Sequence, residues 1–494
     1  MALTAAGAEQ RVTPYLIFLI FVTTLGPLQF GYHLAELNAP KAVITCEKKS
    51  INSSSLTYSS LPQCIPMNAS QFGLVSSSYT LGGLLGALLA GPLSTKYGRL
   101  MTMRLTTIFF ILGPAIATLA ATFPMLSIGR LLSGIGAGAA IVVGPIYISE
   151  VAPQKNKGFF GAFTQVMTNV GILISQTLGY FLSRDSLWRI ILAIAACIAV
   201  LELVGLFFIP ESPIWLADHQ RAGQARRVLQ RIRGKNADIE AEVKAWKVSS
   251  GGTANDGPAD AEEESLLTPP SRNLPPKMPP VSIVQVILDP KYRPAIIAVV
   301  AVMITQQFTG INSIIMYSVS LLSAILPTTA SLLAVAVSAL NLITTLLCAP
   351  LADKLGRKKC LLLSITGMGI TSLLLAIGIA SDLSILSGVA TLLFVGSFAV
   401  GLGPVPFILA SELVGPEAVG ATQSWALSAN WIATFIVAQF FPSLNEAMGG
   451  KGQVYWLFAA LALVLGSFLA WWVPETKGKR TMEEVWGMAE RRVD

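Results

Sequence analysis

Long apolar stretches alternate with short polar segments along most of the chain. Each stretch holds about 20 residues, the length that a helix needs to cross a bilayer, and none alternates apolar and polar positions as membrane barrel strands do. The pattern predicts an all-α membrane protein with twelve transmembrane helices. The predicted spans are 14–37, 71–94, 101–121, 125–149, 159–181, 188–209, 294–318, 329–351, 359–380, 385–411, 420–442 and 454–473.

Composition strengthens this prediction and excludes other classes. Apolar residues make up 53% of the chain and charged residues 12%, whereas soluble proteins carry about 25% charged residues. So few polar side chains cannot cover a water-exposed surface, which excludes a soluble enzyme and a disordered chain. The sequence has no metal-ligand cluster, nucleophile elbow or phosphate-binding loop, so we expect neither catalysis nor a cofactor.

Basic residues orient the predicted spans. With the N-terminus in the cytosol, 27 of the 34 Lys and Arg residues fall on the cytosolic side, 6 on the opposite side and Arg130 inside a span. This excess predicts that both termini are cytosolic. The same bias explains the net charge of +7, so the expected surroundings are the lipid bilayer and nucleic acid is not an expected partner.

The loop at 38–70 faces the opposite compartment in this orientation. It holds the only two N-glycosylation sequons, at Asn52 and Asn68, and the cysteines Cys46 and Cys64. We therefore expect glycosylation at the two asparagines. Whether the two cysteines form a disulfide stays open, because the sequence does not give their separation in space.

Two motifs recur in the second part of the chain. The motif that starts at Gly91 recurs at Ala349, and the one that starts at Pro210 recurs at Pro474, with offsets of 258 and 264 residues. The repeat predicts two six-helix halves, an arrangement typical of alternating-access transporters. The predicted units are an N-terminal half (1–209), a cytosolic linker (210–293), a C-terminal half (294–473) and a cytosolic tail (474–494).

The linker divides into two parts. Residues 217–247 carry arginines among apolar positions and are expected to form short helices, whereas 249–280 is rich in Gly, Pro, Ser and Glu and is expected to be disordered. Within the second part, Glu262 precedes the pair Leu266 and Leu267 by the four-residue spacing that sorting adaptors read. A solvated acidic linker is the alternative interpretation.

Several further motifs stand in order along the chain. They are the two copies of the Gly-Arg loop and the segments 130–138, 145–150, 210–213, 306–312, 403–406 and 474–478. Together they resemble the sugar porter family of the major facilitator superfamily, which includes animal glucose facilitators and fungal hexose transporters. The segment 31–38 is similar to fungal sugar porter-like proteins linked to vacuolar sorting. The resemblance implies sugar transport by alternating access.

Uncharged polar side chains interrupt the apolar spans. Gln165 and Gln176 are 11 residues apart, which returns to within about 20° of the same helix face, and Gln306 and Tyr317 repeat that spacing. Each one alone fits helix–helix packing, but the set suits a neutral polyhydroxylated ligand. The resemblance implies that a sugar contacts Gln165, Gln306, Gln307, Asn312, Asn341, Asn430 and Trp431.

Three positions depart from the glucose facilitators. Phe407 replaces a tryptophan, Ala399 a glutamate and Met316 a tyrosine. Phe407 keeps an aromatic ring for the sugar, but the other two changes leave the substrate less defined. We expect the substrate to be a neutral sugar. A hexose is the preferred candidate, and inositol or another polyol is the alternative. A sugar sensor that does not transport is the alternative from another class.

The resemblance also implies two cytosolic salt-bridge clusters that favour the outward-open state when formed. The first comprises Arg99, Glu150 and Lys157, and the second comprises Asp353, Arg357 and Glu412. Helix capping alone is the alternative role for these residues.

Span 1 carries Gln29, His33 and Glu36, whose spacings of 4 and 3 place them on one helix face. The resemblance aligns His33 with an asparagine of glucose facilitators and an aspartate of several proton-coupled symporters. Histidine binds a proton near neutral pH, and Glu36 would strengthen that binding, so we expect either proton-coupled or facilitative transport. In the facilitative alternative, Glu36 is solvated at the helix end and His33 is neutral.

The candidate sorting signal favours a vacuolar, lysosomal or endosomal membrane, with the plasma membrane as the alternative. The expected partners are a small neutral sugar, a co-transported proton and, at Leu266 and Leu267, a sorting adaptor complex. The direction of net transport stays open.

Overall fold

The computed structural model of the protein is almost entirely helical in the part of the chain that it describes. Twelve helices in that part are long and apolar enough to cross a membrane, so the predicted fold class is confirmed. The described residues are 12–48, 61–153, 156–234, 237–240, 242–243, 281–323, 325–326, 328–348, 351–415, 417–479 and 481–487.

We number the twelve spanning helices in chain order. The N-terminal half contains α1 (Pro14–Ala35), α2 (Ala69–Tyr97), α3 (Arg99–Thr118), α4 (Phe123–Val151), α5 (Lys157–Leu182) and α6 (Trp188–Leu206). The C-terminal half contains α7 (Arg293–Leu322), α8 (Ala330–Cys348), α9 (Arg357–Ala380), α10 (Ser384–Glu412), α11 (Val419–Ala447) and α12 (Val454–Trp472). The short helices are Lys41–Ile44, Pro213–Asp218, Ala222–Arg233, Gln285–Leu288, Leu351–Leu355 and Met482–Trp486.

Two spans of the C-terminal half are interrupted. Helix α7 consists of Arg293–Phe308 and Ile311–Leu322, and α10 consists of Ser384–Val400 and Val405–Glu412. The break in α7 lies at Gly310, whose φ of +97° is in the left-handed region that glycine adopts without steric cost. Interrupted helices at the middle of a membrane are typical of transporter binding sites, because they free backbone polar groups to face a cavity.

The twelve spans of the described part put the start of α1 and the end of α12 on one side of the bundle, which we call the terminal side. The opposite side carries the loop between α1 and α2, where Cys46 and Cys64 form a disulfide with Cα atoms 5.3 Å apart. We call it the disulfide side. Asn68 is exposed there and caps α2 by accepting a hydrogen bond from the Gln71 backbone, at 2.8 Å. Asn52 lies outside the described residues.

The two halves meet along two pairs of helices, α2 with α11 and α5 with α8. Within the N-terminal half, α2 and α4 approach so closely that a Cβ on Gly138 would lie 1.9 Å from the Gly83 carbonyl oxygen. Small residues permit this backbone contact, which replaces the hydrophobic driving force that lipid does not supply. The packing leaves the polar faces of α1, α5, α7, α8 and α11 around the middle of the molecule.

The described part of the linker lies on the terminal side. Arg233 of the helix Ala222–Arg233 binds Glu242, at 2.9 Å, and donates to the Val151 carbonyl at the end of α4, at 2.7 Å. Arg226 pairs with Glu240 nearby. These contacts hold the first part of the linker against the N-terminal half. The predicted disordered stretch and the candidate sorting residues Glu262, Leu266 and Leu267 lie outside the described residues.

Candidate functional site

A network of side-chain amides surrounds the break in α7. The Asn430 amide of α11 donates to the Gln306 carbonyl oxygen, at 2.5 Å. The Gln306 amide donates in turn to the backbone carbonyl of Leu402, in the break of α10, at 2.5 Å. On the other side of Gly310, Asn312 donates to Gln307, at 2.6 Å. The sequence-predicted residues of α7 and α11 therefore form one connected group.

Trp431 extends this group toward the N-terminal half. Its ring makes edge contacts with Phe30 of α1 and Tyr79 of α2, at centroid distances of 5.8 and 6.2 Å. Trp431 is only 3% exposed, and a Cβ on Gly83 would lie 2.3 Å from its ring. The indole therefore joins the halves at the position where an aromatic face would cover a ligand ring.

Asn169 of α5 links the two halves at a second place. It donates to the Thr345 hydroxyl of α8, at 2.9 Å, and accepts from Asn341 of α8, at 3.3 Å. Gln165 lies one turn away and contacts the same Asn169 oxygen, at 3.5 Å. The sequence analysis did not select Asn169 or Thr345, although Asn169 shares the helix face of Gln165 at a spacing of four residues.

Three buried polar atoms on α5, α8 and α11 have no hydrogen-bond partner among the described residues. They are the Gln176 Oε1, the Asn341 Oδ1 and the Trp431 Nε1. Leaving such an atom unpaired costs about 1–3 kcal/mol, so water or a ligand with both donors and acceptors is expected there. The atoms are an indole N–H and amide oxygens, all uncharged, and this favours a neutral hydroxylated ligand.

Two predicted sugar-contacting aromatics lie away from the amide network. The Tyr317 hydroxyl donates to the Ala438 carbonyl, at 2.6 Å, and its ring stacks on Phe441, at 5.3 Å, at a pocket on the disulfide side. Phe407 is 42% exposed on the second segment of α10. The predicted contact of these two rings with a sugar stays a prediction.

Polar contacts between the halves close the disulfide side. Asn38 donates to the Ser318 hydroxyl, at 3.0 Å, and accepts from the Val319 backbone, at 3.1 Å. Lys41 donates to Ser320, at 2.9 Å, and burial lowers the pKa of this lysine. These contacts join the segment that follows α1 to α7.

Matching ion pairs lie on the terminal side of each half. Arg99 binds Glu150 at 2.7 Å, and Arg357 binds Glu412 at 2.8 Å. Lys157 forms no ion pair with the described residues, and the side chain of Asp353 lies outside them. Each pair joins elements of one half only, so neither pair by itself connects the two halves.

Each arginine of these pairs also begins a helix that a second glutamate caps. Glu211 accepts from the Arg99 backbone at 3.0 Å, and Glu475 accepts from the Arg357 backbone at 2.9 Å. Burial raises the pKa of Glu211, and its backbone hydrogen bonds oppose that rise. The glutamates that cap the helices, Glu211 and Glu475, are therefore different from those that form the ion pairs, Glu150 and Glu412.

The ionisable residues of α1 form a buried group with Arg130 of α4. The His33 Nδ1 lies 3.0 Å from both Glu36 carboxylate oxygens, and Arg130 binds Glu36 as an ion pair. Arg130 also donates to the His33 carbonyl, at 2.7 Å, and lies 4.6 Å from the Tyr79 ring centroid. Glu36 is 2% exposed, so the alternative with a solvated Glu36 is wrong.

Arg130 lies inside a predicted span, and no partner was predicted for it. An arginine in a membrane span requires an anion, and that requirement was the available signal. The same rule applies to Glu202, the lone acidic residue of α6, which accepts a hydrogen bond from Gln29, at 2.8 Å.

Comparison with known proteins identifies the family of this helical bundle. A family model described as "Sugar (and other) transporter" matches residues 19–486. The chain belongs to this sugar transporter family. It is 35% identical over 483 residues to a probable metabolite transport protein of Saccharomyces cerevisiae, covering 96% of each chain. It is 32% identical over 479 residues to Vacuolar protein sorting-associated protein 73 of that yeast, covering 95% of each.

Solved structures of a sugar transporter share the fold. The xylose transporter XylE from E. coli, in a partially occluded inward-open conformation, matches with a TM-score of 0.75 and 26% identity, covering 95% of this chain and all of XylE. A structure of the proton:xylose symporter XylE bound to 6-bromo-6-deoxy-D-glucose matches with a TM-score of 0.70 and 25% identity, covering 97% of this chain and all of XylE. The predicted resemblance to sugar porters is confirmed.

This member of the sugar transporter family is therefore a multi-pass membrane protein, and its relatives are transporters and not enzymes. The Asn38 contacts join the two halves on the disulfide side.

Proposed function

We propose that the protein transports a neutral hexose by alternating access, with the sugar bound between the halves at Gln165, Gln306, Asn341, Asn430 and Trp431. The single observation that carries this is the set of unpaired buried atoms on Gln176, Asn341 and Trp431. Sugar hydroxyls both donate and accept, so they match the indole donor as well as the two amide acceptors. The indole of Trp431 supplies the apolar face that a pyranose ring requires.

We also propose that transport is coupled to protons through His33, Glu36 and Arg130. Arg130 neutralises Glu36 while His33 is uncharged, so the three groups are balanced without an added proton. A proton taken up by Glu36 or His33 weakens the Arg130–Glu36 pair and leaves a net positive charge inside α1 and α4. Alternation between two such charge states gives the proton a way to bias the conformational equilibrium.

The test is sugar uptake by the purified protein in proteoliposomes, with and without an imposed pH gradient. Labelled hexoses, xylose and inositol are compared, and inositol uptake without hexose uptake would favour the polyol alternative. Accumulation above the external concentration under the gradient supports coupling, whereas equilibration alone identifies a facilitator. The absence of any exchange in a protein that still binds sugar would favour the sensor alternative.

The His33→Asn variant serves as the matched control, because asparagine keeps a hydrogen-bonding side chain but cannot take up a proton. We expect this variant to keep equilibrium exchange and to lose accumulation. Accumulation equal to that of the wild type would remove His33 from the mechanism and leave Glu36 as the proton-binding group.

We place the protein on a vacuolar or endosomal membrane with its terminal side in the cytosol. This placement is supported by the excess of Lys and Arg on that side and by the similarity to Vacuolar protein sorting-associated protein 73. A fluorescent fusion should label an internal membrane, and changing both Leu266 and Leu267 to Ala should move it to the cell surface. A wild-type fusion at the cell surface would contradict the placement.

A further inference from the structure

A second carboxyl group lies buried in the N-terminal half, apart from the His33–Glu36–Arg130 group. Glu202 of α6 is 4% exposed and accepts a hydrogen bond from the Gln29 amide, at 2.8 Å from its Oε2. Its other oxygen faces α1, where a Cβ on Gly26 would lie 3.3 Å from it. The Thr107 hydroxyl of α3 is its remaining polar neighbour. Glu202 therefore lies inside the helix bundle and away from the sugar cavity.

None of the charged side chains described on the helices packed against α6 forms an ion pair with Glu202. On α3, Arg99 binds Glu150 and Arg104 donates to the Leu206 carbonyl, at 2.9 Å. On α1, His33 and Glu36 form the group with Arg130. On α5, Lys157 lies at the terminal end of the helix. Among the described residues, Glu202 thus forms no ion pair, and a buried carboxylate without a counter-ion is costly in a membrane.

The side-chain oxygen of Gln29, the partner of Glu202, receives no hydrogen bond from the described residues. The Gln29 Oε1 is buried with no partner among the described residues, although its amide nitrogen is bound to Glu202. An ionised carboxylate can only accept, whereas a protonated carboxyl also has one O–H donor. A proton on Glu202 therefore adds one O–H donor to a pair in which the Gln29 Oε1 has none.

Gln29 lies one helical turn from the His33–Glu36–Arg130 group. It precedes His33 by four residues on the same face of α1, and the His33 Nε2 is a further buried atom without a partner among the described residues. Along α4, the contact of Gly26 with Ala140 lies ten residues from Arg130, or about 15 Å of helix. The polar line Glu36, His33, Gln29 and Glu202 thus extends toward the terminal side.

We propose that Glu202 is a second proton-binding site of this transporter, held by Gln29 and in line with His33 and Glu36. The carboxylate takes up one proton to become a neutral carboxyl and releases it again when the N-terminal half changes its packing. This inference rests on the proposed proton coupling only for its part in transport. Proton binding by Glu202 itself can be tested without transport.

The direct test is infrared difference spectroscopy of the purified, lipid-reconstituted protein during a pH titration. We expect the carbonyl-stretch band of a protonated carboxyl, and we expect Glu202→Gln to remove it while Glu36→Gln leaves it in place. A pH-dependent spectrum that Glu202→Gln does not change would overturn the proposal. The Gln29→Leu variant is the second test, because it removes the partner but keeps the acid, and it should shift the pH midpoint of the band.

Transport gives an independent readout. A gradient of one pH unit can drive about tenfold accumulation when one proton moves with each sugar. We expect Glu202→Gln to lower accumulation to the external concentration while equilibrium exchange changes less than about twofold. The control Thr106→Val should keep accumulation, because the Thr106 hydroxyl bonds the Met103 carbonyl of its own helix. Wild-type protein that shows the band without accumulation refutes the coupling but not the site. Full accumulation by Glu202→Gln removes the site from the transport cycle.

Discussion

Arg130 of α4 and Glu36 at the end of α1 form an ion pair in which each side chain is 1% exposed. The same guanidinium donates to the backbone carbonyl of His33, so α1 and α4 are joined through one arginine. In a membrane this contact both satisfies two charges and fixes the height of α1 against α4. Its strength should therefore appear in stability as well as in coupling.

We expect Arg130→Gln to lower the free energy of unfolding by about 3–5 kcal/mol, because it leaves the Glu36 carboxylate buried without a counter-ion. Thermal unfolding of the detergent-solubilised protein measures this loss. Combining Arg130→Gln with Glu36→Gln removes both charges and should restore most of the stability without restoring proton-driven accumulation. A single Arg130→Gln variant as stable as the wild type would contradict the importance of the pair.

Asn169 should determine sugar affinity, because it connects α5 with α8 through Asn341 and Thr345. We expect Asn169→Ala to raise KM for the preferred sugar about tenfold, which corresponds to the loss of about 1.4 kcal/mol. Initial uptake rates across a sugar concentration series measure the change. Ser175→Ala is the matched control on α5, since the Ser175 hydroxyl bonds only the carbonyl of Ile172 in its own helix. An unchanged KM in Asn169→Ala would show that Asn169 only packs the halves together.

Glu150→Gln should slow transport and shift the protein toward the inward-open state, as the cytosolic cluster predicts. The substitution replaces a charge-assisted hydrogen bond, worth about 1.5–3 kcal/mol, while keeping the shape of the side chain. Labelling of a cysteine placed on the terminal side by a thiol reagent measures the shift. Glu412→Gln tests the matching pair in the C-terminal half. Unchanged uptake and unchanged labelling in both variants would exclude the two ion pairs from the conformational change.

Asn38→Ala should open the disulfide side, because Asn38 both donates to Ser318 and accepts from Val319. We expect a cysteine at Leu321, which lines the pocket on that side, to react several times faster with a membrane-impermeant thiol reagent. The background for this experiment replaces the free cysteines Cys197, Cys348 and Cys360. Thr45→Val is the control, since the Thr45 hydroxyl bonds only the Lys41 carbonyl of its own turn. Equal reactivity in Asn38→Ala and Thr45→Val would refute the closing role.

The sequence by itself determined the number and approximate limits of the spans, the division into two halves and the membership of the family. These features depend on local information: hydrophobic length, recurring motifs and helical spacing. The amides of α7 and α11 were selected in the same way, because Gln306 and Asn312 flank the glycine that breaks α7. Helical spacing also placed Gln29, His33 and Glu36 on one face of α1.

Only the tertiary structure decided which residue of another helix each face meets. Spacing along a helix gives the direction of a side chain relative to its own axis, but not the rotation, tilt or height of the neighbouring helix. The pairing of Arg130 with Glu36, of Gln29 with Glu202 and of Asn169 with Thr345 therefore had no counterpart in the sequence analysis. Each of these contacts joins residues more than 90 positions apart, and each required the helices to be packed before it could form.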